Sequence, residues 1–211
     1  MAKEKVILNV GPATGIYVSN LFVPMAAQQD ENAQPKYSVV LLAEKNGNAL
    51  PKVFADLAKA VDMVGIKQFG NKWKDPRFVA KFKRPIRDGD TEKPDKDLFA
   101  GKAFVTLRTA YAPKVITRTR KQVTVADVAD RGEGGEDPST RIFSGCKLIC
   151  SVAVDSFDKQ SSQGVTLYLR SVLLWDNTGD VIDLGGPDPE KDFEKHLTDS
   201  DSSGTDDDLP F

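Results

Sequence analysis

The chain has 211 residues, 40% of them hydrophobic and 28% charged, with a formal net charge of -2. That is length for one substantial domain with a real core plus extensions, and no run approaches the roughly 18 to 20 apolar residues that span a bilayer. Met1-Ala2-Lys3-Glu4-Lys5 and the short apolar run after it have no signal-peptide shape, so a cytoplasmic protein is expected. Cys146 and Cys150 form neither a disulfide scaffold nor a CxxC pair. The single histidine, His196, excludes most catalysis built on a positioned imidazole and most histidine-rich metal sites.

The near-neutral total hides a division. From Asp188 onward nine acidic residues stand against Lys191 and Lys195, a net of -7, so the part up to Pro187 carries +5. Within that body, Lys67 to Lys121 holds sixteen Lys/Arg against six Asp/Glu. A basic centre and an acidic tail in one chain point to a polyanion site and a built-in competitor for it.

In chain order, Lys5 to Val10 and Ile16 to Val23 read as two strands, with Gly11-Pro12-Ala13-Thr14-Gly15 as turn chemistry between them. The two glycines are not a phosphate loop, because the Lys-Ser/Thr that would follow is missing. Met25 to Pro35 is a polar loop, Tyr37 to Ala43 a strand, and Asn46-Gly47 a turn. Pro51 at a first turn and Phe54, Leu57, Val61 and Val64 at three- and four-residue steps after Leu50 predict a core-facing helix that Gly65 ends. Ile66 to Leu98, punctuated by Pro76, Pro85, Gly89 and Pro94, is long for a structureless connection, and such loops tend to be functional or disordered.

The pattern then returns to strands. In Lys102 to Arg108, Ala103, Val105 and Leu107 fall on a core face while Lys102, Phe104, Thr106 and Arg108 fall on a ligand-facing one. Tyr111 to Val125 is basic and β-branched, with Lys114, Arg118, Arg120 and Lys121 clustered, and Asp130 to Ser139 is a glycine-rich loop. Ile142 to Asp155 puts both cysteines on a core face as small hydrophobes. Gly164 to Trp175 is the last long strand, Asn177 to Asp180 a turn, Val181-Ile182 a short final strand, and Gly185-Gly186-Pro187 the end of the folded body.

Roughly seven strands, one well-marked helix and loops of unequal length predict a mainly β, OB-fold-like antiparallel barrel with one inserted α-helix. The domain is expected over 1–187, with a flexible acidic tail over 188–211.

Single-stranded nucleic acid needs cations along its phosphates and flat side chains under its bases. Phe69 to Arg87 offers both, with Lys72, Trp73, Lys74, Arg77 and Phe78 followed closely by Lys81, Phe82, Lys83, Arg84 and Arg87. A base stack is worth about 1 to 3 kcal/mol, and each phosphate contact adds a salt-dependent term with a slope of about 0.7. Tyr111 and the outer residues of the later strands extend the candidate surface. The plain alternative for each ring is packing under its own loop. Arg87-Asp88-Gly89-Asp90 invites a metal reading, but an EF-hand counted from Asp88 puts Phe99 where a glutamate is needed; no metal and no cofactor are expected.

Lys72-Trp73, Pro85-Ile86-Arg87-Asp88-Gly89-Asp90, Phe143-Ser144-Gly145-Cys146 and Gly164-Val165-Thr166-Leu167-Tyr168-Leu169, in that order and ahead of an acidic tail, resemble a tailed-phage family of single-stranded DNA-binding proteins with an OB fold. The resemblance implies DNA coating in replication, recombination and repair within an infected bacterial cell, without catalysis. The last six residues, Asp206-Asp207-Asp208-Leu209-Pro210-Phe211, resemble the tip of bacterial single-stranded DNA-binding proteins. A ring, a stiffening proline and a carboxylate make a short peptide for capture by another protein, which implies phage or host replication proteins as partners. Three rival readings stand beside this one: an adaptor whose basic region docks an acidic protein; a nuclease, whose carboxylates would have to cluster around a metal although Asp88, Asp90, Asp95 and Asp97 sit on one loop with no nucleophile-base pair evident; and a single-stranded RNA-binding OB protein, since stacking and phosphate contacts do not see the sugar. Exposed strand edges leave room for pairing between copies.

Overall fold

The first strand, β1 (Val6–Ile16), runs straight through the expected turn at Gly11-Pro12. Val10 pairs with Cys150 and Ala13 with Leu148, so the intervening residues form a bulge. Gly11 takes φ +130, and a Cβ there would lie 2.3 Å from the Leu148 carbonyl oxygen. Only glycine therefore lets the two strands stay paired, which is why a turn-like composition sits inside a strand. The second strand expected at Ile16 to Val23 is instead a 3-10 turn, Val18–Leu21, that buries Val18 and Leu21.

The structure, a computed structural model, describes residues 5–26, 34–47, 49–129, 135–159, 162–182 and 184. β1 pairs antiparallel with β2 (Tyr37–Glu44) and with β7 (Lys147–Lys159), and β2 pairs antiparallel with β5 (Lys102–Thr109). β7 turns back into β8 (Ser162–Asp176), and β8 meets β5 in parallel at one pair, Arg108 with Tyr168. The circuit β1, β2, β5, β8, β7 thus closes on itself. Its closing side is broken: β5 stops at Thr109, Ala110 to Pro113 leave the ladder, and β6 (Lys114–Thr117) rejoins β8 in parallel. The result is a curled, mainly β sheet with one main helix, rather than a clean barrel.

β5 and β8 diverge upstream of the Arg108–Tyr168 pair. The fork between them is occupied by β3 (Phe82–Lys83) on β8 and β4 (Ile86–Asp88) on β5. The stretch expected to be irregular is therefore ordered by the strands on either side, with two four-residue helices, α2 (Pro76–Val79) and α3 (Gly89–Glu92), at its bends.

The main helix, α1 (Ala55–Phe69), buries Leu57, Ala60 and Val61 and packs against β1, β7 and β8. It does not end at Gly65. The helix continues to Phe69 and stops at Gly70, φ 60, because Gly65 serves a different need: a Cβ there would lie 2.2 Å from Trp73 Cε2. Leu50, at the head of the periodic run, stays exposed. The core is otherwise the inward faces of the strands, and it includes both cysteines as expected. A smaller cluster of Ile16, Leu42, Phe99 and Phe104 lies outside the sheet, with Ile182 and Leu184 packed on it. Val181-Ile182 is thus not a strand; the Ile182 N–H donates to the Ser144 carbonyl at 2.7 Å and its side chain joins that cluster.

Candidate nucleic-acid interface

The fork between β5 and β8 opens outward as a groove of about 680 Å³. Lys83, Arg84 and Arg87 reach it from the β3–β4 segment and Arg108 from β5, while Phe157, Thr166 and Leu167 come from the β7–β8 hairpin. β4 is held in place by Lys45, whose nearly buried side chain donates to Asp88 at 2.8 Å and to Asp90 at 2.7 Å. Hydrogen bonding to Lys45 raises the lysine's pKa and lowers both carboxyls. Asp90 also accepts from the Gly101 N–H at 2.7 Å, tying the loop to the start of β5. The carboxylates that invited a metal reading therefore already hold an ammonium. Among the described residues no group of three or more His, Cys, Asp or Glu is arranged to hold a metal ion.

Two of the groove's cations are pre-positioned. Arg87 lies 4.3 Å above the Phe104 ring and donates to Thr106 Oγ1 at 2.7 Å and to Glu92 at 3.2 Å. Arg84 stacks 4.5 Å from the Trp73 ring and donates to the Trp73 carbonyl at 3.0 Å. Fixing a guanidinium on an aromatic face lowers the side-chain entropy lost when an anion binds. Lys83 and Arg108 are exposed at the rim.

The structure corrects the assignment of rings. Trp73 is fully buried, Phe82 is 8% exposed and Phe104 1%, so these three are core rather than platforms for bases. Trp73 stacks on Phe69 with 5.8 Å between centroids and packs on Phe82 at 5.2 Å. Phe104 does point away from the main core, as alternation requires, but Phe99 folds back over it at 4.9 Å. Phe78 is half-buried, with Arg77 and Lys81 over its ring at 5.8 and 5.4 Å.

The remaining cations scatter. Arg77 is engaged by Asp75 at 2.7 Å and Lys74 by Asp62 at 3.6 Å, while Lys72 is exposed on the turn after α1. Lys102 pairs with Glu44 at 3.5 Å, and Lys121 turns to Asp137 at 3.2 Å and Ser139 at 2.8 Å. Lys114 and Arg120 line a separate groove along β6. Tyr111, on the segment that leaves the ladder, is 83% exposed. The acidic tip, Asp206 to Phe211, lies outside the described residues, as does Asp130 to Gly134 of the glycine-rich loop.

Sequence reasoning missed three aromatic side chains on the outer surface. Phe157 is half-buried in the groove. Tyr168 is exposed on β8 with Lys5 5.4 Å from its ring, and Trp175 is exposed with Arg118 stacked at 4.5 Å. The signal was present: in Gly164 to Trp175, Val165, Leu167 and Leu169 take the inward phase, leaving Thr166 and Tyr168 outward.

The sequence profile of the family described as Enterobacter phage Enc34, ssDNA-binding protein, matches residues 5–205. The chain belongs to that family. The motif-based resemblance to tailed-phage single-stranded DNA-binding proteins is thereby borne out. Among solved structures, the single-stranded DNA-binding protein of bacteriophage Enc34 in complex with ssDNA is 19% identical, with a TM-score of 0.60 over 88% of this chain and 96% of that one. Another structure of the single-stranded DNA-binding protein from bacteriophage Enc34, also 19% identical, gives a TM-score of 0.54 over 92% of this chain and 96% of that one. The gp2.5 protein of bacteriophage T7, a single-stranded DNA binding protein, is 12% identical, with a TM-score of 0.51 over 96% and 100%. At these identities the likeness is one of fold. No protein with a curated description matches the chain. Among the described residues no helix is long and apolar enough to cross a membrane.

Proposed function

We propose that this protein coats single-stranded DNA without regard to sequence, in the cytoplasm of an infected bacterial cell, during phage replication, recombination or repair. The observation that carries the reading is the convergence of Lys83, Arg84, Arg87 and Arg108 on one groove, in a chain whose family is that of a phage ssDNA-binding protein. In an OB-type circuit the outer surface of the second and third strands, here β2 and β5, and the hairpin joining the last two are the usual oligonucleotide face. The fork lies on that side. Phosphates would lie on the four cations and bases against Phe157 and Tyr168. Neither contact reads base edges, which makes binding sequence-tolerant. Four phosphates at about 0.7 each give a salt slope near -2.8.

The body is proposed to end near Pro187 and the acidic remainder to act twice. It competes for the groove at an effective concentration of about millimolar for a short flexible tether, and when displaced it offers Leu209-Pro210-Phe211 to replication proteins.

Oligo(dT) titration at several salt concentrations tests the reading. The full chain is expected to bind with a negative slope, and Lys83→Ala with Arg108→Ala to lower that slope by about 1.4. Deleting Thr198 to Phe211 is expected to tighten binding at low salt and to end capture by proteins that read the bacterial tail. Absence of oligonucleotide binding at low salt would favour the adaptor, and a clear preference for oligo(rU) the RNA reading.

A further inference from the structure

A second groove, of about 530 Å³, lies on the outer face of the sheet where β1, β7, β8 and β6 run side by side. Its floor is apolar and half-buried, made by Ile116, Ile149 and Leu173. Asn9, Ser151 and Ser171 lie in one row across three strands, register partners in the two ladders, and offer an amide and two hydroxyls beside that floor. Lys114 is the partner of Ser171 in the β6–β8 ladder, and Arg120 also lines the groove. Among the described residues no carboxylate lines it. Among the described residues neither Lys114 nor Arg120 takes part in an ion pair.

The two grooves are joined along one strand. On β8, Thr166 lines the first groove, Tyr168 is exposed beyond it, and Ser171 and Leu173 line the second. A register shift opposite Ser151 and Val152 lets β8 absorb Arg170 and present Ser171 on the same outer side as Tyr168. Thr166 to Leu173 spans roughly 23 Å at about 3.3 Å per residue.

We propose that this second groove is a nucleotide subsite that takes the continuation of the strand held in the first, with an unpaired base on the Ile116–Ile149–Leu173 floor and backbone phosphates on Lys114 and Arg120. The inference rests on the function proposed above. The occupant is chosen by chemistry: two cations without an ion pair among the described residues ask for an anion, the apolar floor flanked by hydroxyl and amide groups asks for a flat heterocycle, and continuity with the first groove makes both part of one polymer. A combined path remains within the ~4 to 16 nucleotides that an OB fold covers.

The test is a length series, dT8 against dT20, with the full chain and with Lys114→Glu combined with Arg120→Gly. Both positions are exposed, and Arg120 sits at φ 65, where glycine is free of strain. A second variant, Ser171→Phe, fills the groove without changing charge. The wild type is expected to gain affinity on lengthening. In the double variant the salt slope on dT20 is expected to fall by about 1.4, two phosphates at about 0.7 each. In both variants the gain with length and the occluded site size are expected to shrink. Unchanged slope, length dependence and site size in the variants would overturn the subsite while leaving the first groove standing. Failure of the wild type to bind either oligonucleotide would instead overturn the function on which the inference rests. A loss of self-association in Ser171→Phe with DNA binding intact would assign the groove to a second copy of the chain, and would also overturn it.

Discussion

The indole N–H of Trp73 donates to Asp62 Oδ1 across 2.9 Å, fixing a fully buried ring to a half-buried carboxylate of α1 by one polar bond. The ring that the sequence offers first as a platform for bases is therefore closed to them. DNA-induced fluorescence quenching is expected to arise from Trp175, which is exposed beside Arg118. Trp175→Phe should remove the quenching and Trp73→Phe should keep it; the opposite pattern would reverse the assignment. Trp73→Ala is expected to cost about 3 to 5 kcal/mol of stability by chemical denaturation.

Gly65→Ala sets two effects against each other. Alanine favours an interior helical position by about 1 kcal/mol. A Cβ placed 2.2 Å from Trp73 Cε2 forces a buried ring to move, and overpacking of this kind costs typically about 1 to 3 kcal/mol. Because Trp73 is wedged between Phe69, Phe82 and Arg84, the steric term should win. A lower denaturant midpoint with unchanged m-value is the expected outcome.

Asp137 is held down to about pKa 2 by the Ser139 hydroxyl, the Ser139 N–H and Lys121. Its folded value lies below its unfolded value of about 3.9, so the stabilisation is complete above that range and is lost as pH falls toward 2. Asp88 and Asp90, lowered by Lys45, act in the same direction. The denaturation midpoint should fall below about pH 4, and Asp137→Asn, weaker at neutral pH, should converge on the wild type as pH approaches 2.

Burial pushes the Cys146 thiol up to about 11 and the Cys150 thiol up to about 12. Both remain protonated at neutral pH, and the thiolate is the reactive form. A thiol reagent at pH 8 should leave the folded chain unlabelled and modify both cysteines once it is unfolded. Rapid labelling of the native protein would contradict the core placement.

Much of the fold was legible because period-2 alternation fixes which side of a strand is wet. It found β2, β5, β7 and β8 and placed both cysteines inside. Composition misled where glycine serves packing rather than turning: Gly11 permits a bulge, and Gly65 admits Trp73. The site was legible in charge and only partly in rings. Alternation says that Phe104 faces away from the main core, but not that Phe99 returns along the chain to cover it. Nor does local pattern show that Phe69, Trp73 and Phe82, spread over a loop, collapse into one cluster. Arg84, Arg87 and Arg108 were found as cations; that they share one groove depends on the divergence of two strands far apart in sequence.

The ring of strands is a hoop fastened by a two-part clasp: Arg108 to Tyr168, then Lys114 to Thr117 along β8. Between the two fasteners the backbone of Ala110 to Pro113 makes no ladder bonds to β8. Local opening costs least where few bonds must break, so the clasp amides should exchange with solvent before those of the β7–β8 pair. A bound polymer lying across Arg108 and Tyr168 would buckle the hoop shut, and mass action would convert occupancy into slower exchange at that seam. The protein would then be mechanically tightest when it is carrying its cargo.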